Sequence, residues 1–145
     1  MGQKTITSAN TIFAIAVAGV IPAPVQLQGF TADDVFDIDQ LEVGVTTMGV
    51  DGILSAGFVF NPVKQTVTLQ ADSDSNVLFE TWYAAEKAQQ DKFFANGTVV
   101  FKSVGRSYVL TKGALVTYSP AANPGKTLKP RSFAIEWQAI DGAPV

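Results

Sequence analysis

The chain has 145 residues and a mass of 15.4 kDa, the size of one domain spanning residues 1–145, and its 47% hydrophobic and 16% charged residues set it apart from disordered tails. It contains neither Cys nor His, which excludes disulfide frames, thiolate nucleophiles, Cys-based metal sites and imidazole general bases. A net charge of −3 and a pI of about 4.7 argue against a binder that relies on a basic nucleic-acid footprint.

In chain order, the first element is apolar, Thr11 to Val25. Its uninterrupted run, Ile12 to Ile21, is about half the length that a bilayer requires. Only Lys4 precedes it, and Pro22 and Pro24 spoil a cleavage region, so a buried strand ending at Gly19 is expected, and neither a membrane span nor a signal peptide. In an unsecreted chain the Asn96-Gly97-Thr98 sequon has no role. Val25 to Phe30 alternates apolar and polar residues as a half-buried strand does. Residues 31–42 form an acid-rich loop in which Phe36 either folds back on its own domain or inserts into a neighbouring subunit. Val43 to Val50 and Ile53 to Phe60 flank Asp51-Gly52, a strong hairpin signal. Lys64 to Ala71 alternates again, with Val63, Gln65, Val67, Leu69 and Ala71 on one face.

One helix is predicted. Residues 72–76 supply capping side chains, and Val77, Leu78, Trp82, Ala85 and Ala88 recur at helical spacing, giving a helix over about 76–92 that Asn96-Gly97 terminates. Thr98 to Lys102 and Ser107 to Ser119 follow as antiparallel strands across a short connection. A loop from Pro120 to Pro130 leads to a last strand with Phe133, Ile135, Trp137 and Ala139 on one face. The pattern is mainly β, with about eight strands in an antiparallel β-barrel or paired-sheet arrangement and one flanking helix. Phe13, Phe30, Phe58, Phe60, Trp82 and Trp137 sit in strand or helix patterns and are expected in the core.

The sequence holds few residues arranged for chemistry. A calcium loop begun at Asp72 places Val77 where Gly belongs and Tyr83 where the bidentate Glu belongs, and one begun at Asp37 fits worse. An irregular calcium site from Asp33, Asp34, Asp37, Asp39 and Glu42 stays open beside the plainer reading of a solvated acidic loop. No phosphate-binding, dinucleotide or nucleophile-elbow motif occurs, and no aromatic cleft accompanies a carboxylate pair for glycoside hydrolysis. No enzyme, cofactor or metal is expected, and a small carbohydrate-binding domain remains a rival. Charge is split along the chain: residues 1–72 hold two lysines against seven carboxylates, a balance of −5, and residues 73–145 hold eight basic residues against six acids, a balance of +2. Such a split suits a molecule that stacks on copies of itself.

Several strings, taken in order, resemble a family of tail-tube-like structural proteins of contractile-tailed bacteriophages. They are Thr5 to Phe13, Pro24 to Phe30 with Asp33-Asp34-Val35-Phe36, Met48 to Gly52, Gln70 to Ser73, Phe79-Glu80-Thr81-Trp82, Gly113, Leu128 to Ser132, and Trp137. The resemblance implies a virion protein, assembled in the host cytoplasm, that forms hexameric rings. The rings stack into or onto a tail tube whose lumen passes DNA without binding it, or form a tube-like ring at the baseplate. Sheath, tape-measure and baseplate proteins are the implied partners, with no membrane and no small-molecule substrate. The ring contact is expected from Asp33, Asp34, Phe36, Asp37, Asp39 and Glu42, within residues 31–52, meeting Lys126, Lys129 and Arg131 of the next ring, the plainer alternative being that this segment only covers one end of the barrel.

Overall fold

The computed structural model describes residues 11–28 and 36–144. Among these, the strands are β1 (Thr11–Val17), β2 (Ile21–Gln26), β3 (Phe36–Ile38), β4 (Gly44–Met48), β5 (Leu54–Phe58), β6 (Val63–Leu69), β7 (Ala95–Phe101), β8 (Arg106–Thr117) and β9 (Arg131–Pro144), with one helix, α1 (Asn76–Gln89), between β6 and β7. Seven strands pair antiparallel in the order β2-β1-β7-β8-β9-β6-β3, and β4 and β5 form a separate two-stranded sheet. The mainly antiparallel β architecture with one helix is as expected. Among the described residues no ladder joins β2 to β3, so the sheet is not a closed barrel. It nevertheless curls: the Phe36 ring on edge strand β3 meets Phe13 on β1 edge-on at 5.4 Å and Phe101 on β7 at 6.1 Å.

Alternation decides which face the sheet buries. Phe13, Ile15 and Val17 of β1, Val67 and Leu69 of β6, Val99 of β7, Leu110 of β8, and Phe133, Ile135 and Trp137 of β9 are all removed from solvent. Trp137 needs room that only glycine leaves. A Cβ on Gly113, opposite it on β8, would lie 2.5 Å from the indole and 2.9 Å from Ile135. The indole N–H donates to Gln65 Oε1 at 2.9 Å, which satisfies the polar edge of the buried ring. Regular alternation in β9 stops after Trp137. Lys112 of β8 has φ +47° and its N–H donates to Asn96 Oδ1, at a register shift where β8 carries one extra residue against β7, and Ile140, not Ala139, packs on the core.

The helix covers this face at one end. Phe79 stacks on Phe133 at 4.2 Å, Tyr83 stacks on Tyr118 at 4.3 Å, and Trp82 donates its indole N–H to the Phe93 carbonyl at 2.9 Å. Burying Leu78, Phe79 and Trp82 contributes about 1.5–3 kcal/mol each. The stripe differs from the predicted one: Val77 is exposed, and Phe79 and Glu86 are buried. Glu86 is buried because Lys92 pairs with it at 3.1 Å and the Phe93 N–H donates to its other oxygen, while Lys92 also donates to the Leu115 carbonyl. The helix ends sooner than predicted, since Gln90 takes the left-handed conformation and caps it, which leaves Asn96-Gly97 inside β7. At the N-terminus no side chain caps the helix. Ser73 Oγ instead donates to the Gln28 carbonyl, and Ser75 Oγ accepts the Gln28 N–H at 2.7 Å.

Two further boundaries move. β2 runs from Ile21 through both prolines to Gln26, earlier than the predicted Val25 to Phe30, and residues 29–30 lie outside the described residues. The acid-rich stretch predicted as loop contains β3, whose three residues pair with β6. No helix among the described residues is long and apolar enough to cross a membrane.

Candidate assembly surface

The β4–β5 hairpin is the region that the core does not use. Its turn has a local cause: the Gly52 N–H donates to the Gly49 carbonyl, Asp51 Oδ1 accepts the Ile53 N–H, and Gly52 takes φ +84°. Asp51-Gly52 thus close the hairpin, as the third-position-glycine form of a three-residue turn, Val50-Asp51-Gly52, and not as a two-residue one. The Gly49 N–H donates to the Ile53 carbonyl, and at the root the Val59 N–H donates to the Val43 carbonyl, while Asn61 Nδ2 donates to the Glu42 carbonyl.

The expected core positions Phe58 and Phe60 are instead 69% and 92% exposed, their rings edge-on at 4.8 Å. This corrects the sequence reading, which scored them with Phe13, Trp82 and Trp137. The reason is topological: among the described residues, β4 and β5 pair only with each other and lie outside the seven-stranded sheet. By strand parity Met48, Leu54 and Phe58 share one face, and Val43, Val45 and Ile53 the other, and all six are exposed. Residues 43–50 and 53–60 contain no charged side chain, so Asp51 at the tip is the hairpin's single charge. That pattern, apolar residues at both parities without charge, was the sequence signal that distinguishes this hairpin from a one-sided strand.

Among the described residues, no strand pairs with either outer edge of the hairpin. Because Gly49 bonds to Ile53 and Val59 to Val43, the main-chain groups of Gly44, Thr46 and Met48 on β4, and of Leu54, Ala56 and Phe58 on β5, turn outward. None of these is proline, so each edge offers a full row of donors and acceptors.

The other expected contact residues are scattered. Asp33 and Asp34 lie outside the described residues. Asp37, Asp39 and Glu42 are exposed; Asp37 lies opposite Thr66, and the Asp39 N–H donates to the Lys64 carbonyl. Phe36 takes the first of its two alternatives and folds back on its own sheet. Lys126 and Lys129 are exposed in the loop between β8 and β9. Arg131 is buried and engaged within its own chain, donating to Glu80 Oε1 and to the Ser119 carbonyl, both at 2.7 Å, with its guanidinium 5.3 Å from the Phe133 ring centre. Among the described residues, no ion pair links the acids of residues 37–42 to the cations of residues 126–131, and no group of three or more carboxylates could hold a metal.

This curled antiparallel sheet with one covering helix is the architecture of components of contractile injection systems. It is similar to a chain of the anti-feeding prophage baseplate (TM-score 0.60, 12% identity, covering 100% of this chain and 99% of that one). It is similar to a chain of the anti-feeding prophage tube-terminating cap (TM-score 0.61, 10% identity, 100% and 95% covered). A chain of the sheath–tube complex of an extracellular contractile injection system, PVC, in the extended state also matches (TM-score 0.51, 10% identity, 92% and 88% covered). No individually curated protein matches in sequence. The chain belongs to the family described as tail fiber protein gp32, whose model matches residues 4–141, and is a phage-tail-related structural protein.

Proposed function

We propose that this chain is a structural subunit of a contractile phage tail that joins copies of itself into hexameric rings, which stack into or onto the tail tube around a lumen that passes DNA. It works in the virion without catalysis or cofactor, is assembled in the host cytoplasm, and meets sheath, tape-measure and baseplate proteins. The single observation that carries the reading is the β4–β5 hairpin, uncharged along both strands, apolar on both faces and open at both edges. A lone two-stranded ribbon is marginal in water and gains stability when another strand or surface covers it, and a second copy supplies both by β-augmentation. In sequence, the acids at residues 33–42 directly precede the hairpin, and Lys126 and Lys129 of a neighbouring ring are their complement. The particle containing the similar baseplate chain was solved with 6-fold symmetry, which supports the ring size.

A baseplate-proximal ring of the same fold is the second reading. It is favoured by the match to a baseplate chain across 99% of that chain's length. Electron microscopy of the purified protein with light scattering tests both: long tubes support the repeated subunit, isolated rings the baseplate one. A protein that stays monomeric at every concentration overturns the assembly reading.

A further inference from the structure

Among the described residues, strand β2 forms one end of the seven-stranded sheet, and its outer side differs from the hairpin's. The Leu27 N–H donates to the Phe13 carbonyl at 2.8 Å and Val25 lies opposite Ile15, so odd-numbered residues here turn their main chain toward β1. Beyond the register slip Ile21 lies opposite Val17, so Pro22, next to Ile21, and Pro24 and Gln26, on either side of Val25, are the residues that turn toward the outer side. Proline has no N–H, so the free edge lacks two of the donors that an added strand would need. The register slip between Ile15 and Val17, where β2 carries extra residues, distorts the same edge. Residues 22–26 are exposed, so packing does not require the two rings. At the other end of the sheet β3 is only three residues long and carries Asp37, while β4 and β5 have no proline.

We infer that Pro22 and Pro24 close the β2 edge to a second copy of this chain, preventing the main sheet from growing through that edge and confining strand pairing between copies to other surfaces. The inference concerns the edge itself and stands whether or not the chain forms rings.

The test uses the full chain carrying Phe58→Ser and Phe60→Ser, so that association through the hairpin is suppressed. Into it go Pro22→Thr with Pro24→Thr, which restores both donors, or Pro22→Thr with Pro24→Lys, which restores the same donors beside a charge that discourages edge pairing. Light scattering and thioflavin fluorescence over a concentration series are read alongside circular dichroism. The Thr/Thr protein is expected to keep its dichroism spectrum and self-associate several-fold more than its parent, with thioflavin signal, and the Thr/Lys protein to fall back toward the parent. A folded Thr/Thr protein with the parent's size distribution at every concentration overturns the inference, as does equal association by Thr/Thr and Thr/Lys. If Thr/Thr fails to fold, Pro24→Thr alone is held to the same criteria against the parent. Failure of the ring reading would show separately, in the chain with native Phe58 and Phe60.

Discussion

Strands β1 and β5 are built from similar material and meet different fates. β1, Thr-Ile-Phe-Ala-Ile-Ala-Val, puts Phe13, Ile15 and Val17 at one parity, all fully buried, and Ala14, Ala16 and a half-buried Ile12 at the other, and it is flanked by β2 and β7. β5 with its flanks, Ile53 to Phe60, carries large apolar residues at both parities, has one neighbour, and leaves Leu54, Phe58 and Phe60 in water. Hydrophobicity alone therefore does not place a strand in its own core. One-sided alternation marks a strand that its own chain covers, whereas two-sided apolar content without charge marks one that needs cover from outside.

Mutations can break this comparison. Trp137→Ala should have the largest effect, a loss of about 3–5 kcal/mol measured by denaturant melting of the monomer, because the indole fills the space over Gly113 and bonds Gln65. A small loss would mean that the sheet's inner face is not its core. Gly113→Ala comes next, at about 1–3 kcal/mol from forcing a methyl against that ring, and Gly113→Ala in a Trp137→Phe background should cost less. Phe58→Ser with Phe60→Ser should shift monomer stability by no more than about 0.5 kcal/mol while abolishing self-association seen by light scattering; a cost like that of Trp137→Ala would place the hairpin in the fold. The smallest effect on folding belongs to the joint replacement of Asp33, Asp34, Asp37 and Asp39 by Asn. Ring stacking in electron micrographs should weaken with the monomer's melting nearly unchanged, and a large loss of monomer stability would assign these residues to the fold.

Much of the fold was legible because it rests on alternation. Val63, Val67 and Leu69 of β6 and Phe133, Ile135 and Trp137 of β9 fall on the buried face as their period requires, and Asp51-Gly52 closes its hairpin. What was not legible depended on partners outside each element's own periodic pattern. Glu86 sits on the buried stripe of α1 because Lys92 and the Phe93 amide, several residues on, satisfy it. Phe79 enters the core because Phe133 lies beneath it. Ile140 replaces Ala139 inward because the extra residue at left-handed Lys112 moves the inward parity of β8 from Gly113 to Leu110, which lies opposite Ile140. In the candidate assembly surface, the hairpin and the exposed Asp37, Asp39, Glu42, Lys126 and Lys129 were legible from charge and turn signals. The internal engagement of Arg131 depended on Glu80, fifty-one positions away, and on the Ser119 carbonyl.

The two serines that grip Gln28 have a mechanical consequence. Where the chain leaves β2, Ser73 and Ser75 hold both polar groups of one peptide residue, next to the Leu27 bond to Phe13. Tension on the segment that follows is therefore shared between the start of α1 and the sheet and does not unzip β2 one bond at a time, so this attachment point should yield as a unit under load.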